Sequence, residues 1–160
     1  MPVRFARSTR RLALALGLPL LAGCAAAPAP EPEASRAAGL YPNETPELRG
    51  LIRSYAEAYA VPEDLVQRVV VRESSHRPGA RNGPYYGLMQ ILPQTARQMG
   101  YDGRPEGLLD AETNLKYAVK YLRGAWLVAE GDRDAAVGWY ARGYYYEAKK
   151  KNLLEKTGLR

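Results

Sequence analysis

The fold is decided by the stretch VQRVVVRESSH at residues 66–76. Three of its valines recur at the spacing of an inward helical face, and Glu73 continues that face at the helical period. The helix is expected to end soon after Glu73, because Pro78 and Gly79 follow. A carboxylate is therefore expected on an apolar face and near the negative end of the helix dipole, where both surroundings disfavour its ionised form.

Glu73 in these surroundings has two interpretations. A raised pKa suits a glutamic acid that donates a proton near neutral pH, which is the task of a general acid. The plainer interpretation is a residue at the edge of a helix whose carboxylate only reaches solvent. The position of Glu73 does not separate the two, and the loop that follows the helix carries the deciding pattern.

That loop reads GLMQ at residues 87–90, with Pro93 and the pair TA at 95–96 behind it. Glu-Ser, a turn-rich insert, Gly-Leu-Met-Gln, Pro and Thr-Ala in this order resemble the lytic transglycosylase SLT domain, a family of the lysozyme-like superfamily. The resemblance covers roughly residues 50–146. It implies an all-α, lysozyme-like helical domain of the goose-type/SLT kind, with Glu73 as the catalytic acid.

A set of residues near this motif is predicted to bind substrate. Glycine at 87 would let the backbone approach a sugar ring closely, and the amide of Gln90 can donate to and accept from hydroxyl or acetamido groups. Met89 belongs to the motif, although its apolar side chain favours core packing. Asn82 lies where the family usually carries a serine. The predicted substrate-binding set is Asn82, Gly87, Met89, Gln90, Asn114 and Tyr140.

Two members of this set come from motifs later in the chain. Asn114 matches the asparagine of a helix motif of the family. The family pattern Ala-Tyr-Asn-Ala-Gly is altered to WYARG at residues 139–143, which keeps Tyr140 and Gly143 and loses the asparagine. The hydroxyl of Tyr140 has two possible uses, a hydrogen bond at the reacting sugar or a surface position above a packed ring.

The remaining helices follow from caps and periodicity. Helices are expected over about 46–59, from about 63 to 73, over 93–99 and over 111–129, with a last helical region from about 132 to 154 that is interrupted at Gly143. The chain from Ser75 to Tyr86 is expected to be a loop. No stretch alternates with period two, so the domain is predicted to be all-α.

The first 23 residues form a leader with a basic start and an apolar run from Leu12 to Leu21, and this run is too short to remain as a membrane-spanning helix. Its end, LAGC at residues 21–24, resembles the lipobox of bacterial lipoproteins, which implies that Cys24 is lipidated. Ala25 after that cysteine suggests the outer membrane, facing the periplasm, by analogy with lipoprotein sorting. Residues 24–44 are rich in alanine and proline and are interpreted as a tether, with the SLT domain at 45–160.

Charge argues against nucleic acid as a partner. The formal charge is +6, but the leader holds four arginines and no acid, so 6 − 4 leaves about +2 for the mature chain. The expected partners are peptidoglycan glycan strands and, through Cys24, a membrane. No cofactor and no metal are expected, because the single histidine, His76, has no companion that would make a metal site or a triad credible.

The expected activity rests on a single acid. Asp102, Asp110 and Glu112 lie in turn or cap positions, so no second carboxylate stands in a context like that of Glu73. The family resemblance implies cleavage of the β-1,4 bond between N-acetylmuramic acid and N-acetylglucosamine, with a 1,6-anhydro product. Two alternatives stay open: a hydrolytic goose-type lysozyme, and a non-catalytic lipoprotein that binds peptidoglycan.

Overall fold

A computed structural model describes residues 39–160 of the chain, which are mostly helical. Cys24, the leader and most of the predicted tether lie outside the described residues. The elements are α1 Pro46–Ala58, α2 Glu63–Ser74, β1 Arg81–Asn82, β2 Tyr85–Tyr86, α3 Pro93–Gln98, a 3-10 helix Pro105–Leu109, α4 Ala111–Val128, α5 Arg133–Arg142 and α6 Tyr145–Lys150. The all-α class predicted from the sequence is confirmed.

Polar side chains fix where several helices begin. The Thr45 hydroxyl accepts a hydrogen bond from the backbone N–H of Leu48 at 3.2 Å, with proline at the first position of α1. Asp110 and Asp132 cap α4 and α5 in the same way, each at 2.8 Å. The cap at Asp132 agrees with the start at about residue 132 that the sequence predicts for the last helical region.

Two details differ from the sequence prediction. The predicted loop 75–86 contains a two-residue hairpin, in which Arg81 pairs with Tyr86 and Asn82 with Tyr85. The strands are too short to show an alternating pattern. The last helical region also ends at Lys150 rather than near 154, because Asn152 takes a left-handed conformation (φ 56°) that a helix does not continue.

Helix α4 is the centre of the core. It packs against α1, α3, α5 and the 3-10 helix, and the side chains of Leu115, Val119 and Leu122 are fully buried. Trp126 of the same helix is only partly buried against the core. Since α4 touches the elements on both sides of the predicted motif, it holds the parts of the candidate site in place.

Contacts to the domain begin before Thr45. Glu44, placed in the tether by the sequence, has a side chain with no exposed surface, and the ring of Tyr41 stacks on His76 at 5.1 Å between centroids. The Asn43 amide donates to the carbonyl of Ser75 at 3.0 Å. These residues therefore pack on the chain just after Glu73.

Within residues 39–160, the chain contains no helix with the length and apolar character needed to cross a membrane.

Candidate active site

Glu73 lies in the last turn of α2, on the same helical face as three valines that have no exposed surface. Its own side chain is 23% exposed, so this helical face changes from fully buried to partly solvent-exposed at Glu73. The helix ends directly afterwards, because Ser75 and His76 both adopt left-handed conformations, with φ of 51° and 60°. The abrupt end leaves the carboxyl group at the border between the core and solvent.

The surroundings of Glu73 raise the pKa of its carboxyl group. The main cause is desolvation by burial, and the nearby Arg72 opposes it only weakly. Arg72 Nε lies 3.5 Å from Glu73 Oε1, which is long for a charge-assisted hydrogen bond. A larger fraction of Glu73 is therefore protonated near neutral pH than of an ordinary glutamic acid, as a proton donor requires.

The carboxyl group of Glu73 faces a cavity of about 660 Å³, large enough for sugar rings. Its wall combines the end of α2, the hairpin, the start of α3 and the end of α5. The lining residues are Arg72, Glu73, Asn82, Tyr85, Gln90, Ile91, Leu92, Thr95, Tyr121, Tyr140, Ala141, Arg142 and Gly143. Glu73 is the only acid among them, while two arginines also lie on the wall.

Asn82 and Gln90 are predicted substrate residues that reach this cavity. Asn82 is exposed in β1 and lines the cavity. Gln90 holds a left-handed backbone (φ 48°), and its Nε2 donates to the carbonyls of Ala80 at 3.1 Å and Gly87 at 2.9 Å. Because these bonds occupy both amide hydrogens, Oε1 is the atom of Gln90 available to a sugar donor.

Asn114 and Gly87 do not reach the cavity, and direct substrate contact does not fit their placement. Asn114 is fully buried: its Nδ2 donates to the carbonyls of Tyr86 and Leu108, each at 2.8 Å, and its Oδ1 accepts from the N–H of Met89 at 3.0 Å. Gly87 has φ of 73°, and a Cβ there would collide with the Asn114 amide and the Leu108 carbonyl. Glycine is therefore needed for packing against Asn114, and a sugar ring does not explain it.

Met89 is likewise a core residue in the structure. Its side chain is fully buried and is absent from the cavity wall, as its apolar character favoured. Met89 forms its polar contacts through its backbone: the N–H donates to Asn114 Oδ1, and the carbonyl accepts from the Tyr140 hydroxyl at 2.8 Å. Met89 therefore supports the loop that presents Gln90.

Tyr140 uses its hydroxyl in neither of the two predicted ways. The hydroxyl donates to the Met89 carbonyl, which ties α5 to the loop, while the ring forms part of the cavity wall. Burial first, and then the nearby Glu73, raises the pKa of the phenol well above its ordinary range. Tyr140 is therefore a neutral donor that positions the loop near Glu73.

Sequence reasoning missed several residues of the wall. Tyr121 lies two helical turns after Asn114 on α4, and its ring contacts that of Tyr140 at 5.4 Å between centroids. Helical spacing from Asn114 was a signal that could have found it. Arg142 belongs to the altered WYARG motif and Thr95 to the Thr-Ala pair, and neither is among the predicted site residues.

A buried polar cluster, formed by Glu44, Arg49, Gln67 and His76, lies behind the end of α2. Arg49 donates to both carboxylate oxygens of Glu44 at 2.6 Å, Gln67 Nε2 donates to Glu44 Oε1 at 2.8 Å, and His76 Nε2 lies 2.7 Å from Gln67 Oε1. Burial lowers the pKa of His76, so its ring is held neutral. The cluster fixes the turn that follows Glu73.

A comparison with protein families gives a match that spans the site and the core. Residues 50–157 match the family described as the transglycosylase SLT domain. The matched residues include the end of α2, the hairpin, the loop that carries Gln90, and both α4 and α5.

Proposed function

Because the chain belongs to the transglycosylase SLT domain family, we propose that it is a peptidoglycan lytic transglycosylase that cleaves the β-1,4 bond between N-acetylmuramic acid and N-acetylglucosamine. One observation carries the proposal: among the lining residues of the cavity, Glu73 is the only carboxylic acid. A single acid with a raised pKa suits a reaction whose nucleophile belongs to the substrate.

Glu73 would act twice in this reaction. Its protonated form donates a proton to the glycosidic oxygen, the bond from that oxygen to the muramic anomeric carbon breaks, and N-acetylglucosamine leaves with a free 4-hydroxyl. The resulting carboxylate then takes the proton of the muramic 6-hydroxyl while O6 bonds to the anomeric carbon. The product is a 1,6-anhydro ring, no water is consumed, and Glu73 ends protonated.

The other residues of the wall support this reaction by positioning the substrate. Gln90 and Asn82 both line the cavity, and their amide groups would bind hydroxyl or acetamido groups, with Oε1 as the free atom of Gln90. The rings of Tyr85 and Tyr121 offer apolar faces against which a sugar ring can stack. An intramolecular nucleophile needs such positioning more than it needs a second catalytic group.

A hydrolytic goose-type lysozyme would use the same acid but admit water to the muramic carbon. Inverting hydrolysis requires a second carboxylate about 6.5–9.5 Å away to activate that water. Asp110 is instead the cap of α4, and Glu112 accepts from the Tyr55 hydroxyl at 3.2 Å. Neither carboxylate lines the cavity, which favours the substrate's own 6-hydroxyl as nucleophile.

Digestion of purified sacculi by the purified protein, followed by mass spectrometry of the soluble fragments, tests the proposal. We expect disaccharide fragments with 1,6-anhydro muramic ends, lighter by one water than the products of a hydrolase. Reducing, hydrated ends would assign a goose-type lysozyme instead. Binding to sacculi without release of fragments would assign a non-catalytic binding protein.

The same proposal includes the location of the enzyme. We propose that Cys24 is lipidated and anchors the domain at the inner face of the outer membrane, on the support of the leader and the LAGC motif at residues 21–24. The Cys24→Ala variant is expected to be absent from the membrane fraction when cells are fractionated. If that variant stays in the membrane fraction, the leader itself is the anchor.

A further inference from the structure

Three tyrosine rings pack together beside the cavity. The ring centre of Tyr121 lies 5.4 Å from that of Tyr140 and 4.7 Å from that of Tyr144. Two of the three hydroxyls are bound inside the fold, because Tyr140 donates to the Met89 carbonyl at 2.8 Å and Tyr144 donates to the Tyr121 carbonyl at 2.9 Å. The hydroxyl of Tyr121 has no hydrogen-bond partner within residues 39–160.

The Tyr121 hydroxyl is not enclosed in the core. In the part of the chain that the structure describes, the only fully buried side-chain polar atom without a hydrogen-bond partner is His76 Nδ1. The unpartnered oxygen of Tyr121 therefore keeps some exposed surface. Because Tyr121 is partly buried and lines the cavity that also contains Glu73, the exposed side of the residue is the side that faces this cavity.

Gly143 locates the hydroxyl oxygen itself, and not only the ring, at the cavity wall. A Cβ at Gly143 would lie 3.8 Å from the Tyr121 hydroxyl oxygen, and Gly143 is itself a lining residue. The backbone at Gly143 has φ of 86° and ψ of 152°, a conformation that is almost restricted to glycine. The approach to the hydroxyl is therefore not covered by a side chain at position 143.

The chemistry of this hydroxyl suits the neutral groups of a sugar. Burial raises the pKa of the Tyr121 phenol, so the group keeps its proton and acts as a donor. Sugar hydroxyl and acetamido carbonyl oxygens both accept such a hydrogen bond. The neighbouring rings of Tyr140 and Tyr144 hold Tyr121 in position before a ligand binds, which reduces the entropy lost when the bond forms.

We propose that the Tyr121 hydroxyl donates a hydrogen bond to a hydroxyl or acetamido oxygen of one of the two sugars that flank the cleaved bond. This inference rests on the proposed function, since it adds a specific contact within the same cavity. Gln90 has a free acceptor, Oε1, whereas Tyr121 supplies a donor, so the two residues recognise complementary groups. The wall then distinguishes glycans by their polar groups as well as by the shape of their rings.

Calorimetric titration of two inactive proteins tests this contact. Glu73→Gln and the double variant Glu73→Gln/Tyr121→Phe are titrated with a peptide-free tetrasaccharide of the glycan strand. Loss of the hydroxyl is expected to weaken binding about tenfold. The matched control is Tyr117→Phe in the same background, because Tyr117 lies one turn earlier on α4, packs on Tyr101 and does not line the cavity. Its affinity should equal that of Glu73→Gln.

Glycans that lack a single polar group identify the partner of Tyr121. Each analogue lacks one hydroxyl or one acetamido group of the two sugars that flank the cleaved bond. The tenfold difference should vanish for the one analogue that lacks the partner, since neither protein can then form the bond. A change in packing would instead weaken binding of every analogue alike. Equal affinity of both proteins for the complete glycan, or a difference that persists for every analogue, would overturn the inference.

Turnover separates this inference from the proposed function. If the wild type releases no fragments from sacculi but one analogue abolishes the effect of Tyr121→Phe on binding, the proposed function fails and the sugar contact stands. If the wild type releases 1,6-anhydro fragments and Tyr121→Phe has the same kcat/KM as the wild type, the sugar contact fails alone.

Discussion

Glu44 and Glu73 both lie near the C-terminal end of α2, and their pKa values are shifted in opposite directions. Both carboxyl groups are withdrawn from water, and Glu44 is the more buried, with no exposed side-chain surface against 23% for Glu73. Yet the pKa of Glu44 is lowered to about 2, whereas that of Glu73 is raised. Burial alone predicts the opposite order.

The difference lies in the donors around each carboxyl group. Glu44 accepts two bonds from Arg49 and one each from Gln67 and the backbone N–H of Tyr41. Together these bonds outweigh its desolvation. Within residues 39–160, the only charged partner of Glu73 is Arg72, at 3.5 Å. The end of α2 therefore packs against one carboxylate that stays ionised and stabilises the fold, and carries a second carboxyl group whose protonated form is favoured by its surroundings.

The strongest expected effect comes from replacing the acid of the cavity. Glu73→Gln keeps the shape of the side chain but removes the proton, so digestion of sacculi should slow by at least about 100-fold. The rate of release of soluble fragments measures it. The control is Glu106→Gln, which replaces an exposed glutamate that pairs with Arg104 at the surface. This variant should digest sacculi at the rate of the wild type. Near wild-type digestion by Glu73→Gln would remove Glu73 from the role of acid.

The same substitution at the other carboxylate should instead affect stability. Glu44→Gln leaves the Arg49 guanidinium opposite a neutral amide, and we expect a loss of about 2 kcal/mol in the free energy of unfolding. This is less than for a fully buried pair, because the Arg49 side chain is 22% exposed. Urea denaturation measures the loss. A stability within about 0.5 kcal/mol of the wild type, as expected for Glu106→Gln, would mean that the cluster is not a stabilising unit.

The two carboxyl groups should also respond to pH with opposite sign. Because the folded-state pKa of Glu44 is depressed from 4.5 to about 2, its contribution is present above pH 4.5 and is lost as the pH falls towards 2. Glu73 has a raised folded-state pKa, so its ionisation costs stability as the pH rises through that value. We therefore expect Glu73→Gln to be more stable than the wild type at pH 7, and Glu44→Gln less stable. Melting temperatures of both variants and of the wild type at pH 3, 5 and 7 check these signs. If Glu73→Gln is less stable than the wild type at pH 7, the predicted cost of ionising Glu73 is contradicted.

The smallest expected effect concerns the link between α5 and the loop. Tyr140→Phe removes the hydrogen bond to the Met89 carbonyl, worth about 1 kcal/mol. The reaction should slow by less than about tenfold with an unchanged 1,6-anhydro product, because positioning is loosened but no base is added. Tyr146→Phe, at an exposed tyrosine, is the matched control. Appearance of hydrated products in Tyr140→Phe would show that Tyr140 excludes water.

The helices and the acid were predictable because their signals are local. The bounds of α1 follow from the Thr45 cap and the proline after it, and the position of Glu73 follows from helical spacing. The match of the GLMQ motif at residues 87–90 to a known pattern also needed only short stretches of sequence. Local spacing determines which face a residue occupies, so these predictions did not depend on tertiary contacts.

The roles of Asn114 and Glu44 were not predictable, because they depend on partners far along the chain. Asn114 binds groups as distant as Tyr86, and Gln67 lies 23 residues from Glu44. A motif shows that Asn114 is present, but it does not show whether the side-chain amide hydrogen-bonds to a substrate or to backbone groups. Glu44 follows a proline-rich stretch, and composition there gave no sign that the carboxylate becomes buried.

The hydrogen bonds of Asn114 and Tyr140 make the candidate site depend on distant parts of the chain. The loop that carries Gln90 is held by Asn114, 25 residues beyond Met89, and by Tyr140, 51 residues beyond it. A chain truncated before α4 would keep Glu73 on α2 but would lack both of these bonds. The acid alone is therefore not a site, because the loop that presents Gln90 is held in place only by helices that come later in the chain.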